Sequence, residues 1–371
     1  MPENIGFSVV IAAKGRVALL RDLLHSLEIA RQAYPGKVEV LLMDDSEPND
    51  QERIINLCRQ YDAQYYYFPG TVAAKRNHGA DRAEHEILHF LDSDCLVKSD
   101  LYHIYKRAYQ EKATQSAAGP LEFVGKDTWF WKAIAVTPFV VGFYLPRWLD
   151  TVEWGVTANF TVRRWLFHEI GGFDVTAFRS AGEDVDLGLR IRKAGYEIIS
   201  CKEALVLHSK ATWTPFRNMT RRVWNYGAAD YGLVEKHPER AVTVLLRRLL
   251  LYGIWLVLIL VVFVRSASPW IIGLFPLLIL LENGMLSMRI NATNPYKKAS
   301  FSQQMVAQLL IHINEAAYLF KCLKKADFKR MNQQMVYYQG QYKGMLEIGA
   351  ATFWISLFLT AGIGILVGIY W

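Results

Sequence analysis

Short apolar runs alternate with helix-type patterns along the first hundred residues. Residues 7–13, 38–43 and 87–91 are strand-sized runs of buried type, and each ends in a polar turn that contains Gly or Asp. Between them, residues 17–31 and 51–60 carry the apolar spacing of amphipathic helices. Strands that alternate with helices predict a parallel sheet with crossover helices. Because ligands bind beyond the carboxyl ends of such strands, the three turns should lie along one edge of the sheet.

Two acidic clusters lie at the ends of such patterns, one after a strand and one before a helix. Asp92, Ser93 and Asp94 come directly after the third apolar run, so two carboxylates lie two residues apart at the end of a strand. Carboxylates suit Mg²⁺ or Mn²⁺, which prefer oxygen ligands. Glu183 and Asp184 come just before a helical pattern, so they open a helix. Taken alone, each cluster has an ordinary alternative, as a solvated turn or as a helix cap.

Five motifs together resemble the family 2 glycosyltransferases of the GT-A fold. The resemblance covers residues 5–235 and implies an α/β catalytic domain with a Rossmann-like, mostly parallel sheet. It also implies an inverting, metal-dependent transfer of the hexosyltransferase type from a nucleotide-sugar donor. The motifs are AAKGR at 12–16, LLMDDS at 41–46, GTVAAKRNHGA at 70–80, LDSD at 91–94, and TANFTVRRWLFHEIGGFDVTAFRSAGEDVDLGLRIRKAGYEI at 157–198.

The resemblance assigns the donor site. A diphosphate leaving group needs a cation to neutralise its charge, and the resemblance implies that Asp94 binds Mn²⁺ or Mg²⁺ directly while Asp92 also lies near the ribose. His208 is the expected third metal ligand, although a lone histidine after a strand is also common in a core. The other expected contacts with the UDP- or GDP-linked donor are Ala12, Ala13, Arg16, Asp44, Asp45, Lys75, Arg76, Ser93, Gly155 and Asn159.

Several of these contacts keep alternatives. Residues 44–45, of which Asp44 is the better candidate for the nucleobase, also fit a capping turn before a helix. Residues 75–76 would offer charge to the diphosphate, as a fork from Arg and a point charge from Lys, and they equally fit a solvated helix face. Residues 155 and 159 also fit a core or a turn.

Asp184 is the predicted catalytic base, and Glu183 is expected to orient the acceptor or its neighbours. A carboxylate at the start of a helix is kept ionised by the helix macrodipole, and an attacking hydroxyl needs a base to take its proton. The resemblance supports the choice because Asp184 matches the second residue of the family's Glu-Asp pair. Helix capping alone is the alternative.

The segment at 217–224 bears on processivity. Processive synthases of the resembled family carry Gln-x-x-Arg-Trp there, whereas this chain lacks the Gln and separates Arg from Trp. We therefore expect a membrane-anchored, non-processive enzyme that transfers sugar to a lipid-linked or membrane-proximal glycan acceptor. A processive polysaccharide synthase and a non-catalytic membrane scaffold remain the alternatives.

The C-terminal third carries apolar stretches of membrane length. Residues 249–264 and 348–371 are apolar and uncharged, as expected of helices that cross about 30 Å of hydrocarbon with about 20 residues. A third stretch, residues 269–281, ends at Glu282. It either runs on to Met288 as a second span or re-enters the membrane, with Glu282 then facing protein.

The basic residues orient these spans. With three spans, Arg247, Arg248, Arg330 and the lysines between 297 and 329 would share one side, which predicts a multi-pass protein of the inner (plasma) membrane with a cytoplasmic catalytic domain. Between the second and third spans, apolar residues recur at helical spacing, as in an amphipathic helix at the interface. A surface helix packed on the catalytic domain is the alternative. The stripe comprises Met305, Leu309, Ile313, Ala316 and Phe320.

Composition agrees with this division. The 371 residues include 42 Lys and Arg against 35 Asp and Glu, which gives a net charge of +7. The basic residues gather beside the apolar spans, so they favour anionic lipid over nucleic acid. Four scattered cysteines show no metal-ligand spacing and indicate reduced thiols in a cytosolic setting. No secretory signal peptide is predicted, because the first apolar run is strand-sized.

Two domains are therefore predicted. Residues 1–240 form the α/β catalytic domain, and residues 241–371 form an all-α membrane domain with two to three spans and the interfacial helix. Aromatic residues crowd the segment 119–154, which includes Trp129 and Trp131. Because Trp favours the membrane interface, this segment is expected to dip into the cytoplasmic leaflet and guide the acceptor. A core-packing insertion is the alternative.

Overall fold

The computed structural model describes residues 5–111, 113–244, 247–266, 268–293, 299–338, 354–355, 357–363 and 365. Its strands are β1 (Phe7–Ala13), β2 (Val38–Asp44), β3 (Gln64–Tyr67), β4 (Ile87–Asp92), β5 (Cys95–Val97), β6 (Ser116–Ala118), β7 (Leu121–Val124), β8 (Thr151–Val152), β9 (Phe160–Arg163), β10 (Ile198–Ser200), β11 (Val206–Ser209), β12 (Ala241–Thr243) and β13 (Gln333–Met335).

The α-helices of the described residues are α1 (Val17–Ala33), α2 (Pro48–Gln60), α3 (Val72–Arg82), α4 (Leu101–Gln110), α5 (Trp129–Ile134), α6 (Arg164–Glu169), α7 (Glu183–Lys193), α8 (Phe216–Lys236), α9 (Arg248–Ser266), α10 (Leu274–Thr293) and α11 (Phe301–Lys324). Short 3₁₀ turns lie at Pro138–Phe143, Leu145–Arg147, Lys210–Thr212, Pro238–Arg240, Pro269–Gly273 and Phe328–Asn332.

The chain divides into two compact units. The first comprises residues 1–126 and 141–215, and the second comprises residues 127–140 and 216–371. Helix α8 and the segment that contains α5 thus group with the C-terminal residues. The predicted assignment of catalytic and membrane functions to either side of residue 240 stays a prediction.

The first unit is built on a mostly parallel sheet. Its strand order is β3-β2-β1-β4-β9-β6-β10-β8. Strands β1 to β4 run parallel to one another, β9 is antiparallel to both β4 and β6, and β10 is parallel to β6. The predicted α/β class is confirmed, since helices α1, α2 and α3 connect the parallel strands as the alternating pattern indicated.

The register of β1 aligns the ends of three strands. Ala12 lies opposite Met43 of β2 on one side and Asp92 of β4 on the other, and Ala13 lies opposite Asp44. The three predicted polar turns therefore share one edge of the sheet, as expected. The strand run at 87–91 is fully buried, and the acidic turn follows it at the carboxyl end of a core strand.

A second, three-stranded sheet in the same unit has the order β5-β11-β7. It places His208 of β11 opposite Cys95 and beside Phe123. The backbone N–H of Ser209 donates to the Asp94 carbonyl at 2.9 Å. This small sheet thus carries a residue from late in the chain to the acidic turn that follows β4.

In the second unit, α8 and α11 pack closely. A Cβ atom at Gly227 would lie only 1.9 Å from the Asn314 carbonyl oxygen, so the two helix backbones approach at a position where only glycine fits. Strands β12 and β13 form an antiparallel pair that the sequence did not predict. The mainly helical character expected of the C-terminal part is otherwise confirmed.

Two helical segments of the second unit are long and apolar enough to cross a membrane, by length and composition alone. They are Arg248–Ser266, of 19 residues, and Pro269–Met288, of 20 residues. The second favours the alternative in which the stretch from Pro269 runs on to Met288. Of the third predicted span, 348–371, the greater part lies outside the described residues.

Candidate active site

Three side chains of the kinds that bind metal ions lie close together, two from the turn at the end of β4 and one from β11. Oδ1 of Asp94 lies 3.6 Å from Nε2 of His208, and Oδ2 of Asp92 lies 3.8 Å from the same nitrogen. Nδ1 of His208 is 3.3 Å from the Ser209 carbonyl oxygen. When Nδ1 carries the only ring proton, the Nε2 lone pair faces the two carboxylates, as it would in a metal ligand.

This donor set fits a divalent cation. Asp94 and His208 are almost fully buried, yet the facing atoms are too far apart for hydrogen bonds. Neighbouring ligands of an octahedral ion with bonds of about 2.1 Å lie about 3 Å apart, so a small inward movement would complete a site. The sequence-predicted trio Asp92, Asp94 and His208 is therefore brought together.

Cys95 also lies within this cluster, since its sulfur, an Asp94 oxygen and a His208 nitrogen all fall within 4.8 Å of one another. Burial raises the pKa of the Cys95 thiol well above its ordinary value, and the charge of Asp94 adds to this. A thiol binds metal as thiolate. Cys95 therefore remains a protonated neighbour, and the oxygen and nitrogen ligands suit Mn²⁺ or Mg²⁺ better.

The second oxygen of Asp94 is held by two residues that sequence reasoning did not place there. The Thr212 hydroxyl donates to Oδ2 at 2.7 Å, and an Arg16 guanidinium nitrogen lies 3.4 Å from the same atom. Thr212 was missed altogether, and its position in a 3₁₀ turn after β11 carries no sequence motif. Arg16, which is expected near the nucleobase, contacts Asp94, the predicted metal ligand; it has a left-handed φ of 59° and a side chain that is 45% exposed.

Arg76 is a buried cation between two carboxylates. Its guanidinium donates to Oδ1 of Asp92 at 2.7 Å and to Oε1 of Glu183 at 2.8 Å, and its side chain is only 3% exposed. Burial alone would raise the pKa of Asp92, but the His208 ring and the Arg76 charge hold it well below its ordinary value. Arg76 therefore joins the predicted metal cluster to the start of α7.

We expect Arg76→Met to destabilise the protein by about 3–5 kcal/mol, because it leaves two carboxylates without their buried counter-charge. Thermal unfolding followed by circular dichroism should show a fall of about 10 °C. Arg82→Met is the matched control, since Arg82 ends the same helix and is exposed. An unchanged melting temperature in Arg76→Met would contradict the proposed linkage.

Lys75 is buried as well. Its ammonium donates to the Ala13 carbonyl at 2.6 Å and contacts Asp45, and its side chain is 4% exposed. The solvated-helix alternative for residues 75–76 is therefore wrong. Both cations are already paired with protein groups, and their contact with a diphosphate stays a prediction.

The acidic pair after β2 is divided between two environments. Asp44 is fully buried and accepts hydrogen bonds from the Ser46 hydroxyl and, at 3.2 Å, from Tyr65. Asp45 faces Lys75 and Lys14, which hold its pKa below the ordinary value although burial alone would raise it. Helix α2 begins after Glu47 without a side-chain cap, so the capping alternative for this pair is wrong.

The turn after β1 is fixed by the same edge. Ala12 and Ala13 end the strand, and the Gly15 N–H donates to the Ser46 hydroxyl at 2.6 Å. This contact joins the β1 and β2 turns beside Asp44. The predicted closure of residues 12–16 over a nucleobase stays a prediction.

Glu183 and Asp184 form the first turn of α7. Gly182 precedes them with a left-handed φ of 89°, which a glycine adopts without strain. Asp184 accepts the Val185 N–H at 2.9 Å, and Glu183 is tied to Arg76. The chain therefore turns sharply into the helix and presents both carboxylates beside the metal-ligand cluster.

The protonation of Asp184 differs from the sequence prediction. Burial, and then the neighbouring charge of Glu183, raise the pKa of Asp184 to about 7. Desolvation thus opposes the ionised form that the helix macrodipole favours. A base whose pKa lies near neutrality is well matched to taking a proton from a hydroxyl.

The loop before α7 is anchored by hydrogen bonds. Asn77 of α3 donates to the Phe173 carbonyl at 2.8 Å and accepts its N–H at 2.9 Å. Arg190 of α7 donates to the carbonyl oxygens of Ile170 and Gly172. These contacts explain why Asn, Gly-Gly-Phe-Asp and the later arginine occur together: they fix the start of α7 against α3.

Asn159 and Gly155 lie in the core. The Asn159 amide donates to the Ala204 carbonyl at 2.7 Å, and its oxygen accepts from Tyr105 at 2.7 Å. A Cβ at Gly155 would lie 2.4 Å from the Phe160 ring. The core alternative thus describes both residues here, and their contact with a donor sugar stays a prediction.

The aromatic segment is divided rather than uniform. Phe123 and Phe143 are buried against the His208 ring, with centroid distances of 5.2 and 5.8 Å. Trp131 is 5% exposed, whereas Trp129 is 50% exposed. The core-packing alternative is correct for Phe123, Phe143 and Trp131, and these rings support the histidine or the second unit. Of Trp129 and Trp131, only Trp129 has an exposed ring.

The chain was compared with known protein families, curated proteins and solved structures. Residues 8–174 match the model of the family described as glycosyl transferase family 2. The O-antigen biosynthesis protein RfbC of Myxococcus xanthus is 27% identical over 255 residues, which cover 61% of this chain and 18% of that protein. The chain thus spans less than a fifth of that relative's length.

Among solved structures, the mannosyltransferase PcManGT from Pyrobaculum calidifontis, in complex with GDP-Man and Mn²⁺, superimposes with a TM-score of 0.49 at 14% identity. The match covers 96% of this chain and 88% of that one.

Proposed function

We propose that this chain, whose residues 8–174 match the model of glycosyl transferase family 2, moves a sugar from a nucleotide-sugar donor to a lipid-linked or membrane-proximal glycan acceptor. The transfer would be metal-dependent, inverting and non-processive. The donor would be a UDP- or GDP-linked hexose.

One observation carries the proposal. Asp92, Asp94 and His208 converge at the carboxyl edge of the sheet, and Arg76 connects this cluster to Glu183, the neighbour of a carboxyl group whose pKa is about 7. The residues that would stabilise the leaving group therefore lie near Asp184, the residue that would remove the proton.

Asp94 and His208, with Asp92 beside them, would hold Mn²⁺ or Mg²⁺. The ion, when bound, supplies the positive charge that stabilises a departing nucleoside diphosphate. Arg16, the partly exposed cation beside Asp94, would add charge at the same edge. Asp184 would accept the proton of the acceptor hydroxyl as that oxygen attacks the sugar carbon. The charge of Glu183 raises the pKa of this carboxyl group, and the charge of Arg76 lowers it.

Membrane attachment is part of the proposal. The two apolar segments of the second unit have spanning length, and the basic residues beside them favour a cytoplasmic catalytic domain in the inner membrane. RfbC is named for O-antigen biosynthesis, which supports a glycan acceptor for this chain. The interrupted Arg-Trp arrangement at 217–224 supports transfer of single sugars.

The experiment is a donor screen with the full-length protein in detergent. Each UDP- and GDP-linked hexose is incubated with a membrane-lipid extract, with Mn²⁺ or with chelator, and sugar in the lipid fraction is measured. One donor should label the lipid fraction in the presence of Mn²⁺ and lose nearly all labelling in chelator. Labelling that persists in chelator, or no donor consumed under any condition, would contradict the proposal.

A further inference from the structure

A cleft in the second unit lies between the first half of α8 and the middle of α11. It has a volume of about 510 Å³ and is lined by Arg217, Asn218, Thr220, Arg221, Trp224 and Ile313. All six belong to the same compact unit. The lining combines two guanidinium groups, two neutral hydrogen-bonding groups and an apolar floor.

Two arginines of the cleft lie on the same face of α8. Arg217 and Arg221 are four residues apart on α8, so their side chains leave the same helix face about 6 Å apart. Both are exposed, and within the described part of the chain neither has an acidic partner. Two guanidinium groups at this spacing can donate hydrogen bonds to one anion that lies between them.

The apolar side of the cleft continues along α11. Trp224 is 41% exposed, and its ring lies 5.9 Å from that of Phe320, which is 51% exposed. Leu309, one turn from Ile313, is 47% exposed. Leu309, Ile313 and Phe320 belong to the stripe that the sequence assigned to a membrane interface, and the structure leaves these three side chains partly or largely exposed.

We propose that this cleft binds a phosphate monoester or a diphosphate carried on a long apolar chain. The anionic group would be held by Arg217 and Arg221, and the chain would lie along Trp224 and Ile313. Two guanidinium groups match a group with two or more negative charges. The phosphodiester of an ordinary phospholipid offers a single charge and matches them less well.

This proposal rests on the proposed function and names the acceptor's chemical class: a sugar or glycan linked through phosphate to a lipid. Such a molecule presents the charged group and the apolar chain in the order in which the cleft presents its arginines and its apolar floor. Because the cleft lies in the second unit alone, its occupancy can be measured without any transfer reaction.

The experiment measures binding of farnesyl diphosphate to the full-length protein in detergent by equilibrium dialysis. Chelator is present throughout, which suppresses metal-assisted diphosphate binding at the Asp92, Asp94 and His208 cluster. Farnesol, inorganic diphosphate and short-chain phosphatidylglycerol serve as comparison ligands. Farnesyl diphosphate should bind saturably and at least tenfold more tightly than each of the three.

Arg217→Gln with Arg221→Gln should weaken binding by on the order of 100-fold, since two charge-assisted hydrogen bonds are lost. The melting temperature should be unchanged because both side chains are exposed. Lys324→Gln is the matched control: this exposed cation of α11 lies outside the cleft, and its loss should leave binding as in the wild type.

Two results would overturn the inference. Wild-type affinity in the double arginine variant would show that the anion binds elsewhere. Equal affinity for phosphatidylglycerol would make the cleft a general phospholipid contact. A protein that consumes no nucleotide sugar but still binds farnesyl diphosphate through these arginines would refute the proposed function alone.

Discussion

Replacing Asp94 with Asn should lower sugar transfer by on the order of 10³-fold, since a catalytic cation contributes several kcal/mol of charge stabilisation in the transition state. The neutral amide removes the charge that faces His208 at 3.6 Å, while the Thr212 hydroxyl can still bond to the side chain. The measurement is the initial rate at saturating donor over a range of Mn²⁺ concentrations.

Asp100→Asn is the matched control for this variant. Asp100 is exposed six residues away, and its side chain does not cap helix α4, so its loss should leave the rate unchanged. Equal rates for Asp94→Asn and the wild type at low Mn²⁺ would remove Asp94 from the metal site.

Asp184→Asn should lower the turnover number by about 10²–10⁴-fold, the range that general base catalysis contributes. The affinity for the donor nucleotide should change little, because Asp184 is assigned only to the acceptor proton. The two quantities are measured separately, as the rate at saturating donor and as the dissociation constant for the nucleoside diphosphate. A parallel loss of nucleotide binding in a folded variant would move Asp184 to the donor site.

The same residue sets a pH dependence. A base acts when ionised, and burial raises the pKa of Asp184 to about 7. Turnover should therefore be near its plateau above pH 8 and fall about tenfold per unit well below pH 7. An ordinary carboxylate would keep full activity down to about pH 5. Glu183→Gln removes the adjacent negative charge, so it should move this acid limb to lower pH.

The strands and the sheet edge could be predicted because the signal was local. The run at 7–13 coincides with β1, and the acidic turns at the ends of β2 and β4 follow from the carboxyl-edge rule for parallel sheets. The order of the motifs also brought Asp94 and His208 together correctly. An apolar run of this length predicts a buried strand, and the turn that follows it then lies at the strand's carboxyl end.

The partners of these residues could not be predicted in the same way. The contacts of Asp94 with Thr212 and Arg16 join positions 118 and 78 residues apart, and neither belongs to a local pattern. The burial of Lys75 and Arg76 was equally hidden, because charged residues on a helix usually face solvent. Here each is compensated by a carboxylate from another element, which only the packed fold reveals.

The raised pKa of Asp184 could not be predicted from the sequence for a related reason. Sequence position gives the helix terminus and its dipole, but desolvation depends on what packs over the carboxyl group. The aromatic segment shows the same limit, since Trp129 and Trp131 are two residues apart and one is exposed while the other is buried. The interface character of the segment stays a prediction, and the sequence could not say which of its rings are exposed.

A Mn²⁺ titration followed by electron paramagnetic resonance tests the metal site most directly. The wild-type protein should bind one Mn²⁺, and a nucleoside diphosphate should tighten that binding at least tenfold, because each ligand stabilises the other at a shared site. Asp94→Asn should abolish the tightening. Mn²⁺ binding that ignores the nucleotide, or that survives unchanged in Asp94→Asn, would contradict a metal-dependent transferase built on Asp92, Asp94 and His208.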